Sequence, residues 1–154
     1  MTRSAFRITK THYVPTAFDG EGARRYGGRW NSPGTRVVYI ASSLSLATLE
    51  LLVHVEDLTL IKDAYRVIPV EFEQSLVRSL RLQELPEGWD DPVPSPSTRE
   101  VGDRWVNSGE SPILEIPSAV VPSETNFLVN PSHEEFSRIR FGEPVPLRLD
   151  ERLG

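Results

Sequence analysis

The chain contains no cysteine, which excludes disulfides and cysteine-ligated zinc. It has no apolar run near the roughly 20 residues that cross a bilayer. Its first residues, Met1-Thr2-Arg3-Ser4-Ala5-Phe6-Arg7, lack the apolar core of a signal peptide. A cytoplasmic protein without membrane contact is therefore expected. Basic charge is also scarce: 17 Lys+Arg face 22 Asp+Glu, for a net charge of -5. That balance argues against direct nucleic-acid binding, which needs a basic face to release counterions. His12, His54 and His133 stand apart in the sequence, without the paired spacing of metal ligands, so no metal is expected. The common nucleotide signatures are missing too. Gly20-Glu21-Gly22 is followed by Arg25 where a dinucleotide fingerprint needs its third glycine, and no Gly-Lys-Ser/Thr occurs.

What remains is a chain of 154 residues, a length that suits one domain over 1–154 with one core. Folding at this size buries about 70% of the unfolded chain's surface, enough to dispense with metal or disulfide staples. The 13 prolines and 10 glycines point to many turns rather than long helices, which sets aside coiled coils and helical bundles. Charge is unevenly spread. Through position 70 there are nine basic and six acidic residues; beyond it, eight and sixteen. An anionic small ligand favours the first part and a basic partner the second.

Phe6-Arg7-Ile8 reads as a short strand, followed by a long Gly-rich loop from about Thr16 to Gly34. Thr35 to Ile40 and Ala64 to Phe72 read as further strands. Between them Ser42 or Ser43 caps a helix with Leu44, Ala47, Leu51 and Val55 at helical spacing. This helix is apolar on more than one face and is expected to be well buried. Its one interior charge is Glu50. After the Pro- and Asp-rich loop from Glu84 to Pro96, Ser97 and Glu100 form a capping-box pattern for a second helix carrying Val101 and Trp105 and closed by Gly109. Ile113–Ile116, Ala119–Val121 and Phe127–Val129 read as short strands, and Arg148–Gly154 as a charged tail. The fold class is α/β in the segregated (α+β) sense, with a broken, mostly antiparallel sheet.

Two features could carry chemistry. Glu50 lies among Leu49, Leu51 and Leu52, and a carboxylate there must pair with a cation or face a cleft. An arginine ion pair is the plainer explanation for it. The loop Gly27-Gly28-Arg29-Trp30-Asn31-Ser32-Pro33-Gly34 sets flexible backbone among Arg24, Arg25, Arg29 and Arg36, which suits forked contacts to phosphate. Its glycines could equally just make turns. Ser118 lacks the flanking glycines of a hydrolase nucleophile.

Taken together, Gly22-Ala23-Arg24, Gly27-Gly28-Arg29-Trp30-Asn31, Gly34, Val38-Tyr39, Leu46-Ala47-Thr48-Leu49-Glu50, Ile116-Pro117-Ser118-Ala119-Val120-Val121-Pro122 and Asn126-Phe127-Leu128-Val129-Asn130-Pro131 resemble the RES domain family. The family is named for an arginine, a glutamate and a serine, which match Arg29, Glu50 and Ser118. The resemblance runs from Phe6 to about Phe136, and the stretch 84–109 carries none of its motifs. It implies a fold similar to ADP-ribosyltransferases of the diphtheria-toxin type. It further implies the toxin of a bacterial toxin–antitoxin pair, NAD as substrate, and an Xre-type helix-turn-helix antitoxin as partner; a homodimer stays open.

On that reading Arg29, with Arg7, meets the phosphates or ribose hydroxyls, and Tyr39 stacks on the nicotinamide ring. Ser118 bonds a ribose or the carboxamide, and Glu50 stabilises charge developing at the anomeric carbon. Because nicotinamide leaves as a neutral molecule, the paired acid of ordinary glycosidases is dispensable. NAD glycohydrolase or phosphorylase activity, ADP-ribosyl transfer to a specific protein, and a non-catalytic binding module are the three readings that follow.

Overall fold

The computed structural model describes residues 1–55, 57–61 and 63–153. Strand β1 (Thr2–Lys10) pairs antiparallel along its whole length with β3 (Tyr65–Glu73), from Thr2 opposite Glu73 to Lys10 opposite Tyr65. On its other side lies β2 (Val38–Ala41), with Ala41 opposite Phe6. Then come β6 (Thr125–Val129), β5 (Ile113–Pro117) and β4 (Val77–Ser79). The short strands β7 (Arg140–Phe141) and β8 (Val145–Pro146) both pair with β3. All pairings are antiparallel except β4 with β5. The α+β class and the mostly antiparallel sheet expected from the sequence are what the structure shows.

Strand alternation sends successive side chains to opposite faces. Ala5, Val38, Ile40, Val70, Phe72, Phe127 and Val129 build one core. Leu114, Ile116 and Leu128 project the other way and meet Trp30, Val37 and Trp105. On that second face Phe6, Ile8 and Ala41 also support Leu46 and Ala47 of helix α2 (Leu44–Leu52). The cap of α2 is Ser43, whose Oγ accepts from the Leu46 amide at 3.0 Å. Its burial is lower than the sequence suggests. Leu46, Ala47 and Thr48 are buried, but Leu44, Leu49 and Val53 are 38%, 43% and 58% exposed. The helix lies on the sheet as an outer layer, so only its sheet-facing side is covered.

The Gly-rich loop contains a short helix, α1 (Glu21–Tyr26), where the sequence predicts only loop. Glu21 organises it, bonding Arg24 and Arg25 and pairing with Arg36 from outside the helix. The bonds from Arg24 and then Arg25 lower the Glu21 pKa to about 2, below its ordinary carboxylate value. A depressed folded-state pKa stabilises the folded form above the unfolded pKa, and this contribution disappears as pH falls toward the folded value. Melting temperature should therefore fall between about pH 4.5 and pH 2. Glu21→Gln should flatten that part of the melting-temperature profile, and an unchanged slope would show that Glu21 contributes nothing to it.

Helix α3 (Pro96–Ser108) begins before the expected capping box, with Ser95 at its N-cap and no side-chain cap bond. Pro96 explains the early start, since its fixed φ suits the first helical position, where no N–H is needed. Gly109, at φ 65°, ends the helix as anticipated. Ala119–Val121, which reads as a strand in the sequence, is a bend instead. In the tail, Leu147 is buried and Leu149 packs beside it, while Gly154 lies outside the described residues. No described helix is long and apolar enough to cross a membrane.

Candidate active site

The bend at Ala119–Val121 holds the first half of the site. Ser118 directly follows β5 and is fully buried. Its Oγ accepts from the amides of Val120 at 3.1 Å and Val121 at 3.0 Å, and donates to Glu50 Oε1 at 2.7 Å. A hydroxyl has one donor and two acceptor positions, and all three are in use. In this arrangement the Ser118 hydroxyl is engaged by Glu50 and by the bend. Asn126 Nδ2 donates to the same Glu50 Oε1 at 2.8 Å. Asn126 stands opposite Ala41 on β2 and Ile116 on β5, in the middle of the sheet face beneath α2. The bland alternative for Glu50, an arginine ion pair, is not what the structure shows. Among the described residues its carboxylate is held by two neutral donors.

The second half centres on Tyr39, which shares the Ala41 face of β2 and lies two residues away from it. Its hydroxyl donates to Asn31 Oδ1 at 2.6 Å and accepts from the Trp30 amide at 3.0 Å. Burial pushes the phenol pKa upward, so the hydroxyl stays protonated and available as a donor. Asn31 is fully buried and its Nδ2 bonds the carbonyls of Ala23, Ser32 and Thr35, pinning the loop to both flanks. Gly27 takes φ 72°, a left-handed conformation that favours glycine. A Cβ on Gly28 would come within 2.5 Å of the Tyr39 hydroxyl, so this glycine is required by close approach. Arg29 follows, half-buried, with Nη1 donating to the Trp89 carbonyl at 2.9 Å.

The stretch without motifs turns out to brace this loop. Thr98 Oγ1 donates to the Arg29 carbonyl at 2.5 Å, Arg99 Nε to the Gly28 carbonyl at 3.0 Å, and Asp103 Oδ1 accepts from the Ser32 amide at 2.9 Å. Sequence reasoning misses these residues because the contacts run to backbone atoms about 70 positions away, which no local pattern reports.

Arg7 lies apart from the Glu50 cluster. It alternates with Phe6 and Ile8, which face α2, and so projects to the opposite side of the sheet. Its Nε donates to the Ala17 carbonyl and its Nη1 to the Tyr39 carbonyl, both at 3.2 Å. Desolvation of the guanidinium lowers its pKa to about 10, partly opposed by Asp19. It remains cationic near neutral pH and ties β1 to β2 and to the Ala17 turn.

Glu50 and Ser118 thus come together with Asn126, while Tyr39 bonds Trp30 and Asn31, the residues that follow Arg29, and the Arg29 side chain itself reaches the Trp89 carbonyl. The chain matches the RES domain over residues 4–150. It belongs to the RES domain family. This RES domain is 39% identical over 149 residues to a protein named Toxin Res from Photorhabdus laumondii, covering 96% of this chain and 95% of that one. It is 36% identical over 158 residues to a protein named Prs ADP-ribosylating toxin from Sphingobium, covering 99% and 98%. Its fold is similar to a chain in the crystal structure of the M. tuberculosis MbcT–MbcA toxin–antitoxin complex. That match has a TM-score of 0.78 and 20% identity, and covers 96% of this chain and 85% of the other.

Proposed function

We propose that this RES domain is the toxin of a bacterial toxin–antitoxin pair and breaks the nicotinamide–ribose bond of NAD, passing ADP-ribose to water or phosphate. The observation that carries the chemistry is a single carboxylate, Glu50, fixed by two neutral donors and without an ion pair among the described residues. A carboxylate left unneutralised keeps its full charge for an oxocarbenium-like transition state. The polar half around Arg29 supplies a guanidinium for the pyrophosphate or ribose. Tyr39 supplies an aromatic ring on the same face, and stacking on the cationic nicotinamide is worth about 0.5 to 2 kcal/mol. No metal is needed, because the leaving group departs neutral and the dinucleotide charge is met by arginine.

The toxin names of relatives in two genera support the cellular role, and one such name, an ADP-ribosylating toxin, favours a second reading in which a protein accepts the ADP-ribose. The fold's likeness to a chain of a toxin–antitoxin complex supports an antitoxin as partner, and the Xre helix-turn-helix type proposed for that partner rests on the family resemblance alone. Incubating the purified, antitoxin-free protein with NAD alone tests the first reading. Release of nicotinamide is expected. Intact NAD that is consumed only after lysate is added would move the assignment to protein modification, and intact NAD under both conditions would leave a binding module.

Ser118→Ala should lower the turnover number about 10- to 100-fold, as expected when an orienting contact to a reacting group is lost, while NAD affinity changes little. Equal losses in affinity and turnover, measured by calorimetry and nicotinamide release, would place Ser118 against the substrate after all.

A further inference from the structure

We propose that Asn126 is a positioning residue for the Glu50 carboxylate, acting with Ser118 so that one carboxylate oxygen is held and the other is presented to substrate. The inference rests on the NAD reading for its chemistry and on the hydrogen bonds for its geometry. Both donors converge on Oε1, from Ser118 at 2.7 Å and from Asn126 at 2.8 Å. They come from the residue just past β5 and from the start of β6, adjacent paired strands in the middle of the sheet. Two fixed donors on one oxygen restrict the terminal torsion of a glutamate, which is otherwise broad. Oε2 is the oxygen this arrangement frees.

A second observation points the same way. Asn126 Oδ1 is buried and has no hydrogen-bond partner among the described residues. An unsatisfied buried acceptor is destabilising, because it gives up water and gains no partner. Turning the amide over would not relieve it, because the carbonyl oxygen would then face the Glu50 carboxylate. The flanking pairs, Ala41 and Ile116, are apolar, so an aliphatic side chain of similar size would suit the position better on packing grounds. Asn126 is therefore a polar residue kept where stability alone favours an apolar one, and the bond to Glu50 is what it supplies in return.

The test is Asn126→Leu, which keeps approximate size while removing both the donor and the orphaned acceptor. The expected result is a melting temperature equal to or above that of the unmutated protein, NAD affinity within about threefold, and a turnover number about 10- to 100-fold lower. Asn126→Ala should show the same split between turnover and affinity, and decides the matter if the leucine does not fit. Unchanged turnover in either folded variant, or loss of affinity in step with turnover, would overturn the proposal. Failure of the NAD reading is distinguished by a spectroscopic arm that needs no substrate. The Asn126 side-chain amide resonance, assigned by its disappearance in Asn126→Leu, should shift when Glu50 is changed to Ala. If the unmutated protein ignores NAD but this resonance shifts, the positioning stands and the substrate assignment falls. A resonance that ignores Glu50→Ala overturns the positioning.

Discussion

Glu50→Gln is expected to slow NAD consumption by about 100- to 1,000-fold while leaving the fold and NAD affinity close to those of the unmutated protein. Glutamine keeps a carbonyl oxygen where Oε1 stands, so the Ser118 hydroxyl and the Asn126 amide retain an acceptor. What disappears is the negative charge. In the ground state that charge has little to act on beyond the nicotinamide cation. As the glycosidic bond breaks, positive charge moves onto the anomeric carbon, and a fixed carboxylate acts on it without having to reorganise. The loss therefore falls on the turnover number. Arg29→Ala should behave differently, weakening NAD binding as well as turnover, because a guanidinium contact is made in ground and transition states alike. In cells, expression without antitoxin should lower NAD and arrest growth, and Glu50→Gln should relieve the arrest. A folded Glu50→Gln protein that consumed NAD at the unmutated rate would end the assignment of this carboxylate.

The sequence reveals these residues with uneven success, for physical reasons. Glu50 stands out because a charge inside Leu49-Glu50-Leu51-Leu52 contradicts its surroundings, and such a conflict is visible in one dimension. Tyr39 and Arg29 are legible only through the string of motifs that contains them. Their actual link, Tyr39 to Asn31 and the Trp30 amide, depends on a loop folding back over a strand. The face on which Arg7 lies is not legible in the sequence, because alternation shows neither which face a strand buries nor which side carries α2. Ser118 lies beside Glu50, but its bonds to that carboxylate and to the bend depend on contacts between segments that the sequence does not display. Asn126 gives no signal of its own, since an asparagine at the start of a strand reads as ordinary turn chemistry. The strands are legible where alternation is long, as in Ala64–Phe72. The segment Ala119–Val121 mimics one because its β-branched residues suit a strand, while the neighbouring prolines and Ser118 turn it into a bend.

Gly102→Ala should be the most damaging small substitution outside the Glu50 cluster. Gly102 faces the Arg29 loop from α3, and a Cβ built there would overlap the Trp30 carbonyl oxygen, a backbone atom that cannot rotate away. Two remedies exist. Either α3 moves off the loop, straining the bonds from Thr98 and Arg99 to the Arg29 and Gly28 carbonyls, or the loop shifts and loses its bond to Tyr39. Overpacking of this kind costs about 1 to 3 kcal/mol or more. At roughly 2 to 4 °C per kcal/mol for a chain of this size, the melting temperature should fall by about 2 to 12 °C. Because either remedy disturbs the backbone that carries Arg29, NAD affinity should fall with it. Gly22→Ala is the matched control: Gly22 lies in α1, has no positive φ, and has open space where the methyl would go. There the same change removes glycine's backbone entropy without a clash and should stabilise by up to about 1 kcal/mol. The comparison separates the loss of a glycine from the loss of close approach. If Gly102→Ala melted and bound NAD like the unmutated protein, α3 would be no more than a neighbour of the Arg29 loop, and the bracing role assigned to residues 84–109 would have to be withdrawn.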